Sequence, residues 1–341
     1  MTDLASRPVT LTTTHAFPGG RTLPGPPARR TPVRLSARLL SARRTKAVAA
    51  TVTEQSRARF RTEARAEHPD PVLLCLLAAA EHSPAPDPDD PSDPPTLEAL
   101  LAACEAAFER HAAAVRQAVA ERAPAGPEET AALLAAVLGG RERFHGRQSD
   151  YRRLESSLLP EVLRRRRGLP ITLSLVWTAV ARRAGLTVHG VALPGHFVVA
   201  VGGPGGEEEY VFADPFHGGR LLDLDDVADL VGRTGHRFTP ELLTPAQPLD
   251  IVHRVLGNIR AWAADRPEHA RTQLWATELA LLLPRHPAQL RLERAELLVR
   301  TGDFLAGSAE MDAYAEILDA FDPDTASRVR LDARAARHRL N

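Results

Sequence analysis

One segment of the sequence, from Pro170 to Gly185, is apolar on almost every side and constrains the fold more than any other. Proline at the first helical position and glycine just after the last predict a helix with these bounds. Little polar surface is left before Arg182-Arg183, and a helix of this kind is stable only inside a core. Its apolar residues are Ile171, Leu173, Leu175, Val176, Trp177, Ala179 and Val180. We therefore expect this helix at the centre of its domain.

Four short strand-like runs follow the helix and predict an antiparallel sheet. Glycine-containing turns separate them, as is typical of consecutive hairpins. The runs are Thr187 to Leu193, His196 to Val201, Glu209 to Ala213 and Arg220 to Leu222. A central helix packed on such a sheet predicts an α+β fold.

Helical patterns dominate on both sides of this core. Before it, a proline- and aspartate-rich loop from Pro84 to Pro95 separates two helical stretches, and Thr96 supplies a helix start. A further helix is predicted from Pro127 to Val137, ended by Gly139-Gly140. After the core, breaks near residues 266, 284–287, 302 and 322 divide the chain into helices of about 15 residues. We predict an N-terminal helical region over 47–143, the core over 144–249 and a helical region over 250–341.

The first 46 residues differ in charge from the rest. They contain nine basic residues against one acid, Asp3, although the whole chain has a net charge of zero. Proline and glycine interrupt the segment, which predicts a disordered basic tail. It contains one aromatic residue, Phe17, and no stacking pattern, so nucleic acid is not the expected partner. Lys46 is the only lysine in the chain, so nearly every basic residue is arginine. This arginine content is a compositional bias and is weak evidence for phosphate binding.

Neither a membrane span nor a secretion signal is evident in the sequence, so we expect a cytoplasmic protein that does not bind a membrane. The two cysteines, Cys75 and Cys104, lie in apolar helical segments without metal-ligand spacing. We predict that both are buried side chains that form neither a disulfide nor a metal site.

His196 and Asp214 are the candidate catalytic residues. If the turn between Val201 and Glu209 is centred on Gly205, the two residues face each other across a hairpin, with Cβ atoms about 5 Å apart. A carboxylate that orients an imidazole is part of nucleophilic catalysis. The same pair can instead be structural and hold the register of the sheet.

Several motifs occur in order along the chain and carry a resemblance. They are Arg143-Phe144-His145-Gly146, Asp150-Tyr151, Ser157-Leu158-Leu159, the run from Arg167 to Ser174, Pro194-Gly195-His196-Phe197 and Asp214-Pro215-Phe216-His217-Gly218-Gly219. Together they resemble the SirB-type, transglutaminase-like bacterial family. The resemblance implies a transglutaminase-like core, tetratricopeptide-like helices after it, and often no catalytic cysteine. Such cores place a cysteine about fifteen residues before Gly185, where this chain has Pro170, and Ser156-Ser157 replaces the family's usual Asn-Ser pair.

Other nucleophiles and a metal site are the alternatives at this place. Ser174 lies one turn after Pro170 on the same helix face. We predict that its hydroxyl bonds back to the carbonyl of residue 170, and a nucleophile is the alternative. A metal site would use His196, Asp214 and His217, with His189 as a further ligand. That spacing matches no standard pattern, so we predict neither a metal nor a cofactor.

Two functions remain open. The favoured one is a non-catalytic transglutaminase-like protein, and one version of this function is regulatory. Its groove, lined by His196, Asp214, Phe216 and Arg220, would bind a peptide or protein partner. The alternative is a hydrolase or amide-transfer enzyme that uses His196 and Asp214 with Ser174 or water.

Overall fold

Residues 53–82, 96–202 and 210–339 are described by the structure, which is a computed structural model. All of them fall in one compact unit, Arg44–Asn341. The predicted basic tail, the loop from Pro84 to Pro95 and most of the turn predicted around Gly205 lie outside the described residues.

The chain is helical before the sheet, as predicted. The helices are α1 over residues 53–63, α2 Pro71–Ala79, α3 Leu97–Arg122, α4 Pro127–Leu134, α5 Leu159–Arg165 and α6 Pro170–Arg183. Thr96 begins α3, where its hydroxyl accepts a hydrogen bond from the backbone N–H of Ala99 at 3.1 Å. Helix α6 begins at Pro170 and is followed by Gly185 at φ +80°, so proline and glycine mark its two ends as expected.

The predicted end of α4 is wrong. Gly139-Gly140 does not stop the helix, which continues as a π-helical turn over Ala135–Arg141. A Cβ atom on Gly139 would overlap the backbone carbonyl of Gly218. Gly139 therefore serves the close approach of two backbones, a role that the local sequence does not reveal.

Four antiparallel strands form the sheet in the order β1-β2-β3-β4. They are β1 Val188–Val191, β2 Val198–Val201, β3 Val211–Asp214 and β4 Arg220–Leu222. Each lies within or beside a predicted run, and β4 has the predicted bounds. The α+β fold class is therefore confirmed.

The register between β2 and β3 differs from the prediction by two residues. A turn centred on Gly205 would place Ala200 opposite Tyr210, whereas Ala200 is opposite Phe212. The even shift keeps side chains on their predicted faces. His196 lies before β2 begins and so does not pair across the hairpin. Glycines in the turn permit several turn lengths, so the sequence alone does not determine the register.

Helices cover both faces of the sheet. Helix α6 packs on one face, whose buried residues include Val199, Val201 and Ala213, and its Trp177 is fully buried. The other face has Val198, Ala200 and Phe212 in a separate cluster with Val227 and Val231 of α7 Leu224–Gly232. The central position predicted for α6 is thus confirmed, and α7 is a second layer that the sequence analysis did not predict.

Five helices follow α7 and the short turns after it. They are α8 Pro248–Ala264, α9 Ala270–Leu282, α10 Gln289–Arg300, α11 Phe304–Leu318 and α12 Pro323–His338, which agrees with the predicted breaks. Buried residues of α8 and α9 join the same apolar cluster as α1 and α6. The division into regions at 143/144 and 249/250 stays a prediction. Of the helices that the structure describes, none combines the length and apolar character needed to cross a bilayer.

Candidate functional site

Asp214, the last residue of β3, is at the centre of the candidate site. Its Oδ1 accepts a hydrogen bond from the backbone N–H of Phe216 at 2.9 Å and so begins the short helical turn Pro215–His217. The turn is closed by Gly218 at φ +69° and Gly219 at φ +87°, and the N–H of Gly219 returns to the carbonyl of Asp214 at 2.8 Å. Glycine adopts such positive φ values without strain. The Asp-Pro-Phe-His-Gly-Gly sequence therefore folds back on its own aspartate.

Two histidines share the other carboxylate oxygen of Asp214. His196 Nε2 lies 2.9 Å and His217 Nδ1 lies 2.7 Å from Asp214 Oδ2. The side chain of Asp214 is 2% exposed and that of His196 11%, whereas that of His217 is 58% exposed. The predicted contact between His196 and Asp214 is confirmed, although His196 reaches the carboxylate from the turn after β1. The catalytic role of the two residues stays a prediction.

Asp214 remains a carboxylate because of these partners. Burial by itself would raise the pKa of Asp214, but hydrogen bonds and charge interactions with His196 and His217 outweigh it and lower the pKa below its ordinary value. Each imidazole turns one nitrogen towards Asp214, so His196 Nδ1 and His217 Nε2 are the ring atoms left to meet a ligand. The carboxylate of Asp214 therefore orients the rings of both His196 and His217.

Tyr151 and Arg254 complete the surroundings of the site, and sequence reasoning assigned neither to it. The ring of Tyr151 packs edge to face on Phe216, with centroids 5.8 Å apart. Burial raises the pKa of Tyr151, the charge of Asp214 raises it further and Arg254 opposes both. Arg254 Nη2 donates to the carbonyl oxygen of His196 at 2.6 Å. Tyr151 belongs to a quoted motif, but Arg254 lies on α8, and no local signal connects it to His196.

Of the two residues predicted to line the groove with His196 and Asp214, one lies at the site and the other pairs elsewhere. Phe216 lies beside His196, with ring centroids 6.0 Å apart and an interplanar angle of 90°. Arg220 is opposite Asp214 in the β3–β4 register, yet its guanidinium pairs with Asp226 of α7. Phe216 thus forms part of the site, while Arg220 is engaged elsewhere.

The beginning of α6 offers no exposed nucleophile. Pro170 is buried, and the Thr172 hydroxyl donates to the carbonyl of Ser156 at 2.8 Å. Ser174 is fully buried, and its hydroxyl donates to the carbonyl of Phe197 at 3.5 Å. The predicted bond of Ser174 to the carbonyl of residue 170 is therefore wrong, because Phe197, next to His196, lies within reach. This contact also places the first turns of α6 beside the His196 segment.

Both cysteines of the chain are buried in the apolar core, as predicted. Burial, with a smaller contribution from Asp70, raises the pKa of Cys75 to about 12. Burial, with a smaller contribution from Glu105, raises the pKa of Cys104 to about 11. Because the thiolate is the nucleophilic form, neither side chain is prepared for thiol chemistry near neutral pH.

The three residues around Asp214 could also be considered as metal ligands. His196, Asp214 and His217 each offer one ligand atom, and these atoms lie within 4.8 Å of one another. Both histidine nitrogens are already at hydrogen-bond distance from the same oxygen, so a metal ion would have to displace two bonds. His189, the further ligand considered from the sequence, instead packs on Tyr210, with ring centroids 5.3 Å apart. The geometry is that of a hydrogen-bonded cluster.

Known proteins are similar to the region of the chain that contains this site. Residues 102–257 match the model of the transglutaminase-like superfamily. The chain is 32% identical to a UPF0162 protein of Xylella fastidiosa over 154 residues, which cover 43% of this chain and 54% of that protein. It is 28% identical to the F-box only protein 21 of Mus musculus over 161 residues, which cover 46% of this chain and 25% of that protein.

A further UPF0162 protein, from Vibrio cholerae, is 26% identical over 151 residues, covering 43% of this chain and 55% of that protein. The chain thus spans about half the length of the UPF0162 relatives that it matches. His196, Asp214, His217 and Arg254 all lie within the matched residues. Residues 102–257 are therefore similar to a transglutaminase-like domain, and the candidate site lies within the matched residues.

Proposed function

We propose that this is a non-catalytic transglutaminase-like protein that binds a peptide or protein partner at the His196–Asp214 site. One observation carries the proposal: the imidazole–carboxylate pair is ordered and nearly buried, while a buried proline occupies position 170. We also infer that the chain is of the SirB type and that α8–α12 form a tetratricopeptide-like cap beside the site. A cytoplasmic location and a regulatory role remain predictions.

The absence of a thiol from the site supports binding over catalysis. Covalent catalysis of amide transfer needs a nucleophile within hydrogen-bond reach of its base. Proline has no ionisable atom, and Cys75 and Cys104 are buried thiols with raised pKa values. The remaining imidazoles can still accept or donate hydrogen bonds to a ligand.

The exposed part of the site suits recognition of an extended peptide. Tyr151 is 44% exposed, and the side chain of His217 is exposed beside the nearly buried Phe216. Tyrosine offers a large rigid contact area with one polar tip, which is why it is common among residues that dominate binding energy. We therefore assign Tyr151 the role of anchor for a partner side chain.

One observation favours the alternative, a hydrolase that uses water. Asp214 holds the Nε2 side of His196, which leaves Nδ1 to act as a base towards a water molecule. Ser174 gives less support, because it is fully buried and its hydroxyl is directed to Phe197. Any such activity would use His196 as the proton acceptor.

A peptide array tests the two functions together. Acetylated decapeptides of varied sequence are probed with the labelled protein, and bound peptides are incubated with it and weighed by mass spectrometry. We expect binding that weakens in Tyr151→Ala, with no change in peptide mass. Tyr210→Ala is the matched control, since Tyr210 is also partly exposed but packs on His189 outside the site.

Two outcomes would contradict the proposal. If the wild-type protein cleaves or deamidates peptides and His196→Ala leaves the same peptides unchanged, the alternative enzyme is established. Equal binding by Tyr151→Ala and Tyr210→Ala would mean that partners do not use this site.

A further inference from the structure

We propose that the peptide bound at this site is acidic, because the chain segment beside it contains five arginines that have no carboxylate partner among the described residues. The inference rests on the proposed function and names the chemistry of its partner. The five are here called the basic rim and comprise Arg141, Arg143, Arg147, Arg152 and Arg153.

The basic rim is exposed and lacks counter-charges. All five residues are exposed, and no carboxylate within the described part of the chain lies at ion-pair distance from them. The next four arginines differ in this respect, since each has a carboxylate within 4 Å. These pairs are Arg164–Glu161, Arg165–Asp150, Arg166–Glu142 and Arg167–Asp150. Among the described residues, one group of arginines is therefore paired with carboxylates, and the group that precedes it in the sequence has no such partner.

Three contacts hold the chain segment that contains the basic rim beside the candidate site. The N–H of Gly146, next to Arg147, donates to the carbonyl of Phe216 at 2.8 Å. Tyr151, next to Arg152, packs on the ring of Phe216. Trp262 Nε1 of α8 donates to the carbonyl of Arg152 at 2.9 Å and holds the segment from its other side. A ligand lying over Tyr151 and His217 would thus lie next to the chain segment that contains Arg147 and Arg152.

Compositional bias does not account for this charge. The chain uses arginine in place of lysine almost throughout, but that choice leaves the sign of the charge unchanged. Over the whole sequence, 43 basic residues balance 43 acidic ones. An unpaired positive stretch therefore departs locally from the average and attracts negative ligands.

A peptide fits the site better than a nucleic acid. Asp214, a carboxylate with a lowered pKa, lies at the centre of the site and would repel a continuous phosphate backbone. An acidic peptide can place its carboxylates at the basic rim and a neutral residue over Asp214. The planar fork of arginine matches a carboxylate through two parallel hydrogen bonds.

The peptide array tests the inference when every peptide is printed in two forms, one with Asp and Glu and one with Asn and Gln. We expect the acidic form to bind at least about tenfold more tightly, because several weak charge pairs add together. The strongest acidic peptide is then measured by fluorescence anisotropy. The triple variant Arg147→Glu, Arg152→Glu, Arg153→Glu should lose about tenfold or more in affinity, and the wild-type affinity should fall with added salt.

A second triple variant controls for overall charge. Arg59→Glu, Arg271→Glu and Arg300→Glu change the net charge equally at exposed positions on α1, α9 and α10. We expect this variant to bind like the wild type, and circular dichroism of all variants checks that they are folded.

The outcomes separate this inference from the proposed function. If the amide forms bind as tightly as the acidic forms and depend on Tyr151, the function stands and the acidic preference is overturned. The acidic preference is also overturned if the two triple variants lose equal affinity for the acidic peptide. It is overturned as well if a single-stranded oligonucleotide binds more tightly than the peptide and the triple variant of the basic rim abolishes that binding. If neither form of any peptide binds, the proposed function itself fails.

Discussion

Two buried carboxylates of this protein, Asp150 and Asp214, are built alike but have different partners. Each is about 2% exposed or less, and each accepts a hydrogen bond from a backbone N–H of its own short turn. Asp150 is then held by Arg167 at 2.6 Å and by Arg165 at 3.7 Å. Asp214 is held by His196 and His217.

The difference in partners separates a structural cluster from a candidate site. A guanidinium is charged at every accessible pH and has no acceptor atom, so the Asp150 cluster can only hold its chain segment in place. An imidazole changes charge near neutral pH and keeps a second nitrogen free for other contacts. The Asp150 cluster thus positions the segment that contains Tyr151, and the Asp214 cluster leaves imidazole nitrogens that can contact a ligand.

The largest effect is expected from Asp150→Ala. Removing this carboxylate leaves Arg165 and Arg167 partly buried without a counter-charge, which costs about 3–5 kcal/mol in the free energy of unfolding. Urea denaturation measures the loss, with Asp229→Ala of α7 as an exposed control. A loss below about 1 kcal/mol, the level of an ordinary surface pair, would show that the cluster does not hold the segment.

A smaller loss is expected from Asp214→Asn. The amide oxygen can still accept from the N–H of Phe216, and no partly buried guanidinium loses its counter-charge, so the loss should be about 1–2 kcal/mol. The same denaturation experiment measures it. If Asp214→Asn destabilises the protein as much as Asp150→Ala, the histidine cluster is structural and the contrast between the two carboxylates fails.

The smallest expected effect is the pH dependence of the difference in unfolding free energy between the wild type and Asp214→Asn. The folded protein holds the pKa of Asp214 below the value of about 3.9 that an unfolded aspartate has. Its stabilising contribution is therefore complete above about pH 4 and is lost as the pH falls through the folded pKa. We expect the stability difference between wild type and Asp214→Asn to shrink as the pH is lowered from about 4. A difference that grows in that range would contradict the account.

Local chemistry made much of the fold predictable from the sequence. Pro170 and Gly185 mark the two ends of α6, and Thr96 begins α3, because these residues act through their own backbone neighbours. The breaks between the C-terminal helices were predicted for the same reason. The strand runs also followed from short-range patterns.

What could not be predicted depends on residues distant in sequence. The β2–β3 register depends on a glycine-rich turn whose length the sequence leaves open. The π-helical turn at Gly139 depends on the approach of Gly218, and the partner of Ser174 is a carbonyl on another element. At the site, His196 and Asp214 were found through their motifs. Arg254 was missed because only the packing of α8 brings it to His196.

The most direct test of the central claim restores the missing thiol with Pro170→Cys. If the imidazole–carboxylate pair remains competent and only the nucleophile is absent, the introduced thiol lies at a helix N-terminus beside the His196 segment. Both features lower its pKa from the usual value of about 8.5, and we expect them to outweigh the opposite effect of burial at position 170. Ultraviolet thiolate absorbance measured against pH reports this pKa, and the native thiols do not interfere, because burial raises their pKa values to about 12 and about 11. We expect thiolate below pH 8 in Pro170→Cys and less of it when His196→Ala is added. A thiol that ionises like free cysteine in both backgrounds would contradict the central claim.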